Sequence, residues 1–334
     1  MINCISSKKT RTIFILIVSI IFAFLLTLLP NEYFRDRVNY ILYAKNALDI
    51  MSSYNDFSIY TNEPLFLLLN NFLSLFFDND SVPLFFVFFS SFTFSYFILI
   101  RSKSYLFAIL GFLALIFVPQ SFHMLLVTLR QAFTAALLMW IVYYFWSSRF
   151  FLFLVFCLGF IHSSGFIIFA FLFLDKVFSS FVSKDIYIRV VFLVIISVFI
   201  SFSILPLANI LELRQSNEYK NVIINVGGGN FIIYTLVLLI TLTQRKKLFV
   251  NDGFYIVAIV GISVYIGMYF FSPFSGRLII SFMPFIICLM CFFGNIKSLL
   301  LLIFFVIINS FVFKESIMNL SLSEQGVRYL FGGY

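Results

Sequence analysis

Residues 13–29 read IFILIVSIIFAFLLTLL, an apolar run without a charged residue. A helix that crosses the hydrocarbon core of a bilayer needs about 20 largely apolar residues, with a range of about 17–25. The run follows Lys8, Lys9 and Arg11, lacks a small-residue cleavage site and ends before Pro30. It therefore predicts a first membrane-anchoring helix that stays in place, and not a cleaved signal peptide.

The same apolar character extends along the whole chain. The 334 residues are 62% hydrophobic and 11% charged, whereas soluble domains are roughly half apolar and about a quarter charged. Further apolar segments lie at 83–100, 104–118, 131–146, 150–174, 189–206, 230–243, 253–272, 278–293 and 298–313. They predict an all-α polytopic membrane protein, a single integral membrane domain over 1–334 with about 10–11 transmembrane helices. The lipid bilayer is the expected surrounding, and no nucleic-acid partner is expected.

The basic residues predict how the chain is oriented. Lys and Arg concentrate in cytoplasmic loops, so the basic N-terminus is predicted to be cytoplasmic. Arg149 and Lys176 flank the apolar segment 150–174 and would face opposite sides if it crossed once. Both are cytoplasmic if the segment is a broken hairpin that turns at 162–165, where the sequence is His-Ser-Ser-Gly.

Two long segments, about 31–82 and 208–230, then become extracytoplasmic loops. The first contains the apolar run 65–77, which Pro64 opens and which is too short to span comfortably. Runs of this length are more often interfacial or re-entrant than spanning. Because function usually lies in longer loops that a rigid scaffold positions, we expect the functional site on this side.

Ionisable and polar residues in or near a membrane are costly and are therefore candidates for function. Guanidinium groups recognise phosphate through planar, forked donors, whereas a carboxylate or imidazole can deprotonate a sugar hydroxyl. An arginine at a helix end can instead simply extend to the lipid head groups, and a lone histidine can be purely structural. The candidates at the predicted outer face are Arg37, Glu63, Arg130, Gln131, His162, Arg214 and Arg277.

The cysteines give no sign of a metal site. Cys288 and Cys291 would share one face of a helix, but no histidine or carboxylate lies beside them in the sequence. Small apolar side chains of a membrane helix are the simpler interpretation. We therefore expect neither a metal nor a cofactor.

Four short motifs follow one another in a recognisable order. They are Asn62-Glu63-Pro64-Leu65-Phe66, Leu129-Arg130-Gln131-Ala132, Arg149 leading into Phe160-Ile161-His162-Ser163-Ser164-Gly165, and Arg277 at the start of a late span. In this order and spacing, across roughly residues 30–290, the sequence resembles the EpsG-like branch of the Wzy-type polysaccharide polymerases.

The resemblance implies an enzyme of the bacterial cytoplasmic membrane. It would be a metal-independent, inverting glycosyltransferase-type polymerase that joins undecaprenyl-pyrophosphate-linked oligosaccharide repeats at the outer leaflet. Its product would be O-antigen, capsule or exopolysaccharide, and a flippase and a chain-length regulator of the same pathway would be partners. The family pattern implies that Arg130 and Arg277 hold the pyrophosphate and that Glu63 or His162 is the general base.

Other classes of membrane protein remain open at this point. A flippase would carry the lipid-linked oligosaccharide across the bilayer, but many transporters have internal repeats around a midplane site, and the sequence shows no repeat. A membrane O-acyltransferase that modifies a surface glycan could use His162 as its base. An O-antigen ligase would differ from a polymerase only in its acceptor.

Overall fold

The computed structural model describes residues 2–54, 58–210, 227–244 and 252–332, and every regular element in these ranges is a helix. The α-helices are α1 (Ile2–Thr27), α2 (Arg37–Ser52), α3 (Ser58–Thr61), α4 (Pro64–Leu73), α5 (Val82–Arg101), α6 (Tyr105–Phe117), α7 (Pro119–Leu126), α8 (Leu129–Phe145), α9 (Phe151–Cys157), α10 (Ser164–Phe181), α11 (Ile186–Ile210), α12 (Gly229–Thr243), α13 (Gly253–Met268), α14 (Ser275–Phe293), α15 (Ile296–Leu320) and α16 (Glu324–Phe331). The all-α prediction is confirmed.

Long apolar helices make the protein polytopic. Among the described residues, six helices are long and apolar enough to cross a membrane, and the number is seven if the bent pair α6 and α7 forms one span. The two helices of that pair meet at 69°, where Pro119 opens α7 and cannot continue the hydrogen bonding of α6. Several predicted spans, such as α12 and α13, are shorter apolar helices of 15 and 16 residues.

The apolar segment 150–174 is broken, as its sequence predicts. Helix α9 continues as a single 3-10 turn over Leu158–Phe160, and α10 begins at Ser164. The two helices pack closely, because a Cβ atom on Gly165 would lie 2.6 Å from the backbone nitrogen of Gly159. A glycine at this position thus allows the two arms of the hairpin to touch.

Replacing Gly165 by alanine is expected to destabilise this hairpin. The added methyl group would overlap backbone atoms that cannot rotate away, and overpacking of this kind costs about 1–3 kcal/mol. Gly276→Ala is the matched control, because a Cβ atom there would meet nothing within 4 Å. Thermal unfolding in one detergent would compare the two variants, and equal midpoints would contradict the close packing.

The segment 31–82, predicted to be a long loop, is mostly helical. It contains α2, α3 and α4, and α4 starts at Pro64 and is short, as predicted. Most of the other predicted loop, 208–230, lies outside the described residues, and Arg214 lies there too.

The chain divides into two compact units, here called unit 1 (1–45, 72–136 and 287–334) and unit 2 (46–71 and 137–286). In unit 1, α1 packs along α5, and α15 packs against α6 and α7. The C-terminal helix α16 lies on the turn at Asn31–Tyr33, where Tyr329 stacks on Tyr33 with ring centres 4.6 Å apart.

Helix α13 is the buried centre of unit 2 and packs against α11 and α12. It begins after Asp252, whose side chain accepts hydrogen bonds from the backbone N–H groups of Phe254 and Tyr255. This is the usual chemistry of a helix N-cap.

A buried ion pair joins α10 and α11 of unit 2. Arg189 Nε donates to Asp175 Oδ1 at 2.9 Å, and Arg189 Nη2 donates to Asp175 Oδ2. Both residues are buried, and two parallel hydrogen bonds give the pair a fixed geometry. The pair therefore fixes the position of α11 on α10.

Candidate active site

Glu63, which lies in unit 2, has an unusual backbone conformation. Its φ is +63°, and it is the single non-glycine residue with a positive φ in the described part of the chain. For an L-residue this left-handed conformation costs roughly 1–2 kcal/mol. The carbonyl of Glu63 accepts hydrogen bonds from the N–H groups of Phe66 and Leu67, in the first turn of α4. Such strain is typical of functional positions, where the surrounding structure holds it in place.

The carboxylate of Glu63 pairs with the imidazole of His162. Glu63 Oε1 contacts His162 Nδ1, although the two residues are 99 positions apart in the sequence. The backbone N–H of Ser163 donates to the same oxygen at 3.4 Å. Glu63 is 6% exposed and His162 is 7% exposed, so water screens the pair only weakly.

This contact decides which nitrogen of His162 is available for chemistry. The carboxylate accepts a hydrogen bond from Nδ1–H, and so the neutral ring carries its lone pair on Nε2. Within the described ranges, Nε2 has no hydrogen-bond partner. A neutral imidazole held in this way can act as a general base, and the carboxylate stabilises the imidazolium that forms.

The break that carries His162 also presents an unpaired hydroxyl. Ser164 Oγ is buried and has no hydrogen-bond partner among the residues that the structure describes. Buried polar atoms in native proteins nearly always have a partner. A ligand hydroxyl would supply one beside the Glu63–His162 pair.

Arg130 lies in unit 1, in the first turn of α8. Its guanidinium carbon is 5.9 Å from the ring centre of Tyr40 and 5.5 Å from that of Tyr43, and its side chain is hydrogen-bonded to Tyr40. Cations stack favourably on aromatic faces at such distances. The two tyrosines therefore hold Arg130 from the side of α2.

Arg37, the first residue of α2, is fully buried in unit 1. Its Nε donates to the carbonyl of Leu126 at 2.8 Å, and its Nη1 donates to Asn31 Oδ1 at 3.0 Å. Burial lowers the pKa of Arg37 to about 9, which leaves it charged at pH 7. Since Leu126 ends α7, the cation satisfies a carbonyl at the negative end of that helix. Arg37 thus supports the turn that leads to Arg130, and its binding of substrate stays a prediction.

Arg277 is half-buried in the first turn of α14, in unit 2. Arg130 is likewise in a first turn, that of α8. The N-terminal end of a helix dipole is positive, so a cationic side chain in the first turn is disfavoured. A bound anion would compensate both the arginine and the positive end of the dipole. Gln131, which follows Arg130, is buried.

The predicted site residues thus fall into two groups. Glu63, His162 and Arg277 belong to unit 2, and the first two are in contact. Arg37, Arg130 and Gln131 belong to unit 1, where Arg37 and Arg130 both interact with the side chain of Tyr40.

The roles of Tyr40 and Ser163 and the pairing of Asp175 with Arg189 were not predicted from the sequence. Tyr40 follows Arg37 by three positions, which places both residues on one face of a helix and could have been noticed. Asp175 could have been noticed as an acidic residue in an apolar run. The distant contacts themselves leave no local pattern.

Side chains that commonly bind metal ions do not cluster in the described part of the chain. Residues 2–54, 58–210, 227–244 and 252–332 hold no group of three or more His, Cys, Asp or Glu side chains that could bind an ion. Cys291 donates from Sγ to the carbonyl of Phe107 at 3.3 Å, a packing contact inside unit 1.

The sequence profile of the EpsG family matches residues 12–330, nearly the whole chain. The chain belongs to the EpsG family. The match covers all four motifs and both groups of site residues, and EpsG membership indicates a polysaccharide-polymerase-type role. Comparisons with curated proteins and with solved structures gave no match.

Proposed function

We propose that this EpsG-family protein polymerises lipid-linked oligosaccharide repeats by glycosyl transfer at the outer leaflet of a bacterial cytoplasmic membrane. The buried Glu63–His162 pair carries the proposal, because a carboxylate-oriented imidazole is suited to activate a sugar hydroxyl. The substrates are oligosaccharides on undecaprenyl pyrophosphate. The N-terminus is cytoplasmic, and a flippase and a chain-length regulator act in the same pathway.

The reaction transfers one proton, forms one glycosidic bond and breaks one bond to pyrophosphate. His162 Nε2 removes the proton from a hydroxyl of the acceptor repeat, and this oxygen attacks the anomeric carbon of the donor chain. The bond from that carbon to the pyrophosphate oxygen breaks, and its electron pair leaves with undecaprenyl pyrophosphate. Attack opposite to the leaving group inverts the anomeric carbon. His162 then releases its proton to solvent, and Glu63 stabilises the charged ring meanwhile.

The arginines supply positive charge for the phosphate groups. Donor and acceptor each carry a pyrophosphate, and we assign a phosphate-binding role to Arg277 in unit 2 and to Arg130 in unit 1. Gln131 is proposed to support binding beside Arg130. The position of both arginines in the first turns of helices favours this role, because an anion relieves an unfavourable arrangement of charge.

Arg130→Ala and Arg277→Ala are each expected to reduce polymerisation strongly. Loss of a charge-assisted contact with phosphate costs about 1.5–3 kcal/mol, which is roughly tenfold to more than a hundredfold in rate. Arg→Lys should restore little, because lysine lacks the planar fork. The lengths of surface glycans on a gel report the effect, and the exposed Arg328, changed to alanine, is the control. Full-length chains from both alanine variants would refute the phosphate role.

A glycan ladder from cells with the gene deleted and then restored tests the function. Polymerisation predicts that deletion collapses the ladder to a single repeat and that restoration rebuilds it. If the ladder keeps its lengths and loses acetyl groups, the protein is an acyltransferase. If every surface repeat disappears, flipping or ligation is the function, and the proposal is wrong.

A further inference from the structure

One face of α2 is built around Arg130 in unit 1. Arg37, Tyr40 and Tyr43 follow one another at intervals of three residues, which places them along one side of the helix. Tyr40 and Tyr43 are both buried, and their rings pack edge to face with centres 6.0 Å apart. Arg130 lies over both rings.

Tyr40 makes the directional contact with Arg130. Its side chain is hydrogen-bonded to Arg130, whereas a ring face alone attracts a cation without fixing the plane of the guanidinium. Burial raises the pKa of Tyr40, and the nearby Arg130 partly opposes this shift. The phenol is therefore neutral at pH 7, and its oxygen accepts a hydrogen bond from the guanidinium.

Arg37 fixes the backbone that carries Arg130. Its bond to the carbonyl of Leu126 closes the end of α7, and α8 begins three residues later at Leu129. The Nη2 atom of Arg37 is buried and has no partner among the described residues. One donor group of Arg37 on this face is therefore left without a protein acceptor in the described part of the chain.

We propose that Tyr40 is a positioning residue, which holds the planar fork of Arg130 in the orientation that binds a phosphate group. The inference rests on the proposed function for its substrate, a lipid-linked pyrophosphate. An unrestrained arginine has several rotatable bonds, and ordering them on binding lowers affinity. The hydroxyl of Tyr40 removes part of this cost, because it holds the guanidinium in place before the ligand arrives.

The test measures the affinity of purified full-length protein in detergent for inorganic pyrophosphate. Tyr40→Phe keeps the ring and removes the hydroxyl, and it is expected to weaken binding about tenfold. Tyr105→Phe removes a hydroxyl from a tyrosine that is 82% exposed in the same unit, and it should bind as the wild type does. Thermal unfolding verifies that each variant is folded.

A double-mutant cycle shows whether Tyr40 acts through Arg130. In an Arg130→Lys background the fork is absent, so Tyr40→Phe should then weaken binding less than twofold. An equal loss in both backgrounds, or wild-type affinity of Tyr40→Phe, would overturn the proposal. Arg130→Lys alone is expected to weaken binding about tenfold. Wild-type affinity of that variant would overturn the proposal even if Tyr40→Phe did not fold.

Two further measurements distinguish pyrophosphate binding at Arg130 from polymerisation and from binding of phospholipids. Pyrophosphate binding is measured without any polymerisation, so a wild type that binds but does not polymerise refutes the proposed function alone. Addition of phosphatidylglycerol tests whether the phosphate site at Arg130 binds a phospholipid head group instead. If phosphatidylglycerol displaces pyrophosphate at equal concentration, the phosphate site at Arg130 binds lipid head groups of the bilayer. That result would overturn the link of this site with the substrate.

Discussion

Glu63→Gln and His162→Ala are each expected to lower the rate of polymerisation by about 10²- to 10⁴-fold, the usual contribution of general acid–base catalysis. In His162→Ala the base itself is gone. In Glu63→Gln the shape remains, but the charge that fixes the tautomer of His162 and stabilises its protonated form is lost. Both side chains are buried, so no solvent-exposed group among the described residues stands beside them to take over either role. Polymerisation is measured from the lengths of glycan chains at equal amounts of membrane protein.

Two matched controls separate this catalytic effect from loss of a charge or a ring elsewhere. Asp80→Asn removes an exposed carboxylate, and His123→Gln removes the other of the two histidines in the chain. Both variants should make chains of wild-type length. If His162→Ala also makes such chains, His162 is not the base. If Glu63→Gln is inactive while His162→Ala is active, the carboxylate is the base and the imidazole supports it.

Asp175→Ala is expected to cost about 3–5 kcal/mol of stability, the usual result of removing one partner of a buried ion pair. Arg189 would remain buried between α10 and α11 without its carboxylate, and its charge would no longer be compensated. The measurement is the unfolding midpoint in denaturant, with Lys184→Ala as an exposed control in the same region.

A second variant distinguishes the pair from simple packing at the same site. Asp175→Leu combined with Arg189→Met removes both charges at similar volume, and it should regain most of the lost stability. If Asp175→Ala unfolds at the wild-type midpoint, the ion pair does not join the two helices. If the double variant is as unstable as Asp175→Ala, the loss does not come from the uncompensated charge.

The apolar runs predicted many helix positions well, because residence in lipid requires long stretches without charge. The segment 83–100 became α5, and 104–118 became α6, with bounds within a residue or two. The break in 150–174 was also predictable, because it has a local cause in Gly165 and its neighbours. The bend after α6 was not predicted, since hydropathy records burial from water and not the direction of the chain.

The candidate residues were found by their chemistry, but their contacts were not. Glu63 and His162 were both predicted as bases, yet the sequence left open which of them acts and did not show that they touch. That contact joins residues 99 positions apart and depends on tertiary packing. Burial of Arg37 was not predicted either, because its acceptor, the carbonyl of Leu126, is a backbone atom that every residue has.

Reconstitution of the purified protein in proteoliposomes with undecaprenyl-pyrophosphate-linked repeats tests the central claim most directly. Chain length and released undecaprenyl pyrophosphate are followed together, for the wild type and for His162→Ala. We expect longer chains, with one lipid pyrophosphate released for each new glycosidic bond, and loss of both signals in His162→Ala. Equal chain growth in His162→Ala, or repeats that cross the bilayer without becoming longer, would contradict it.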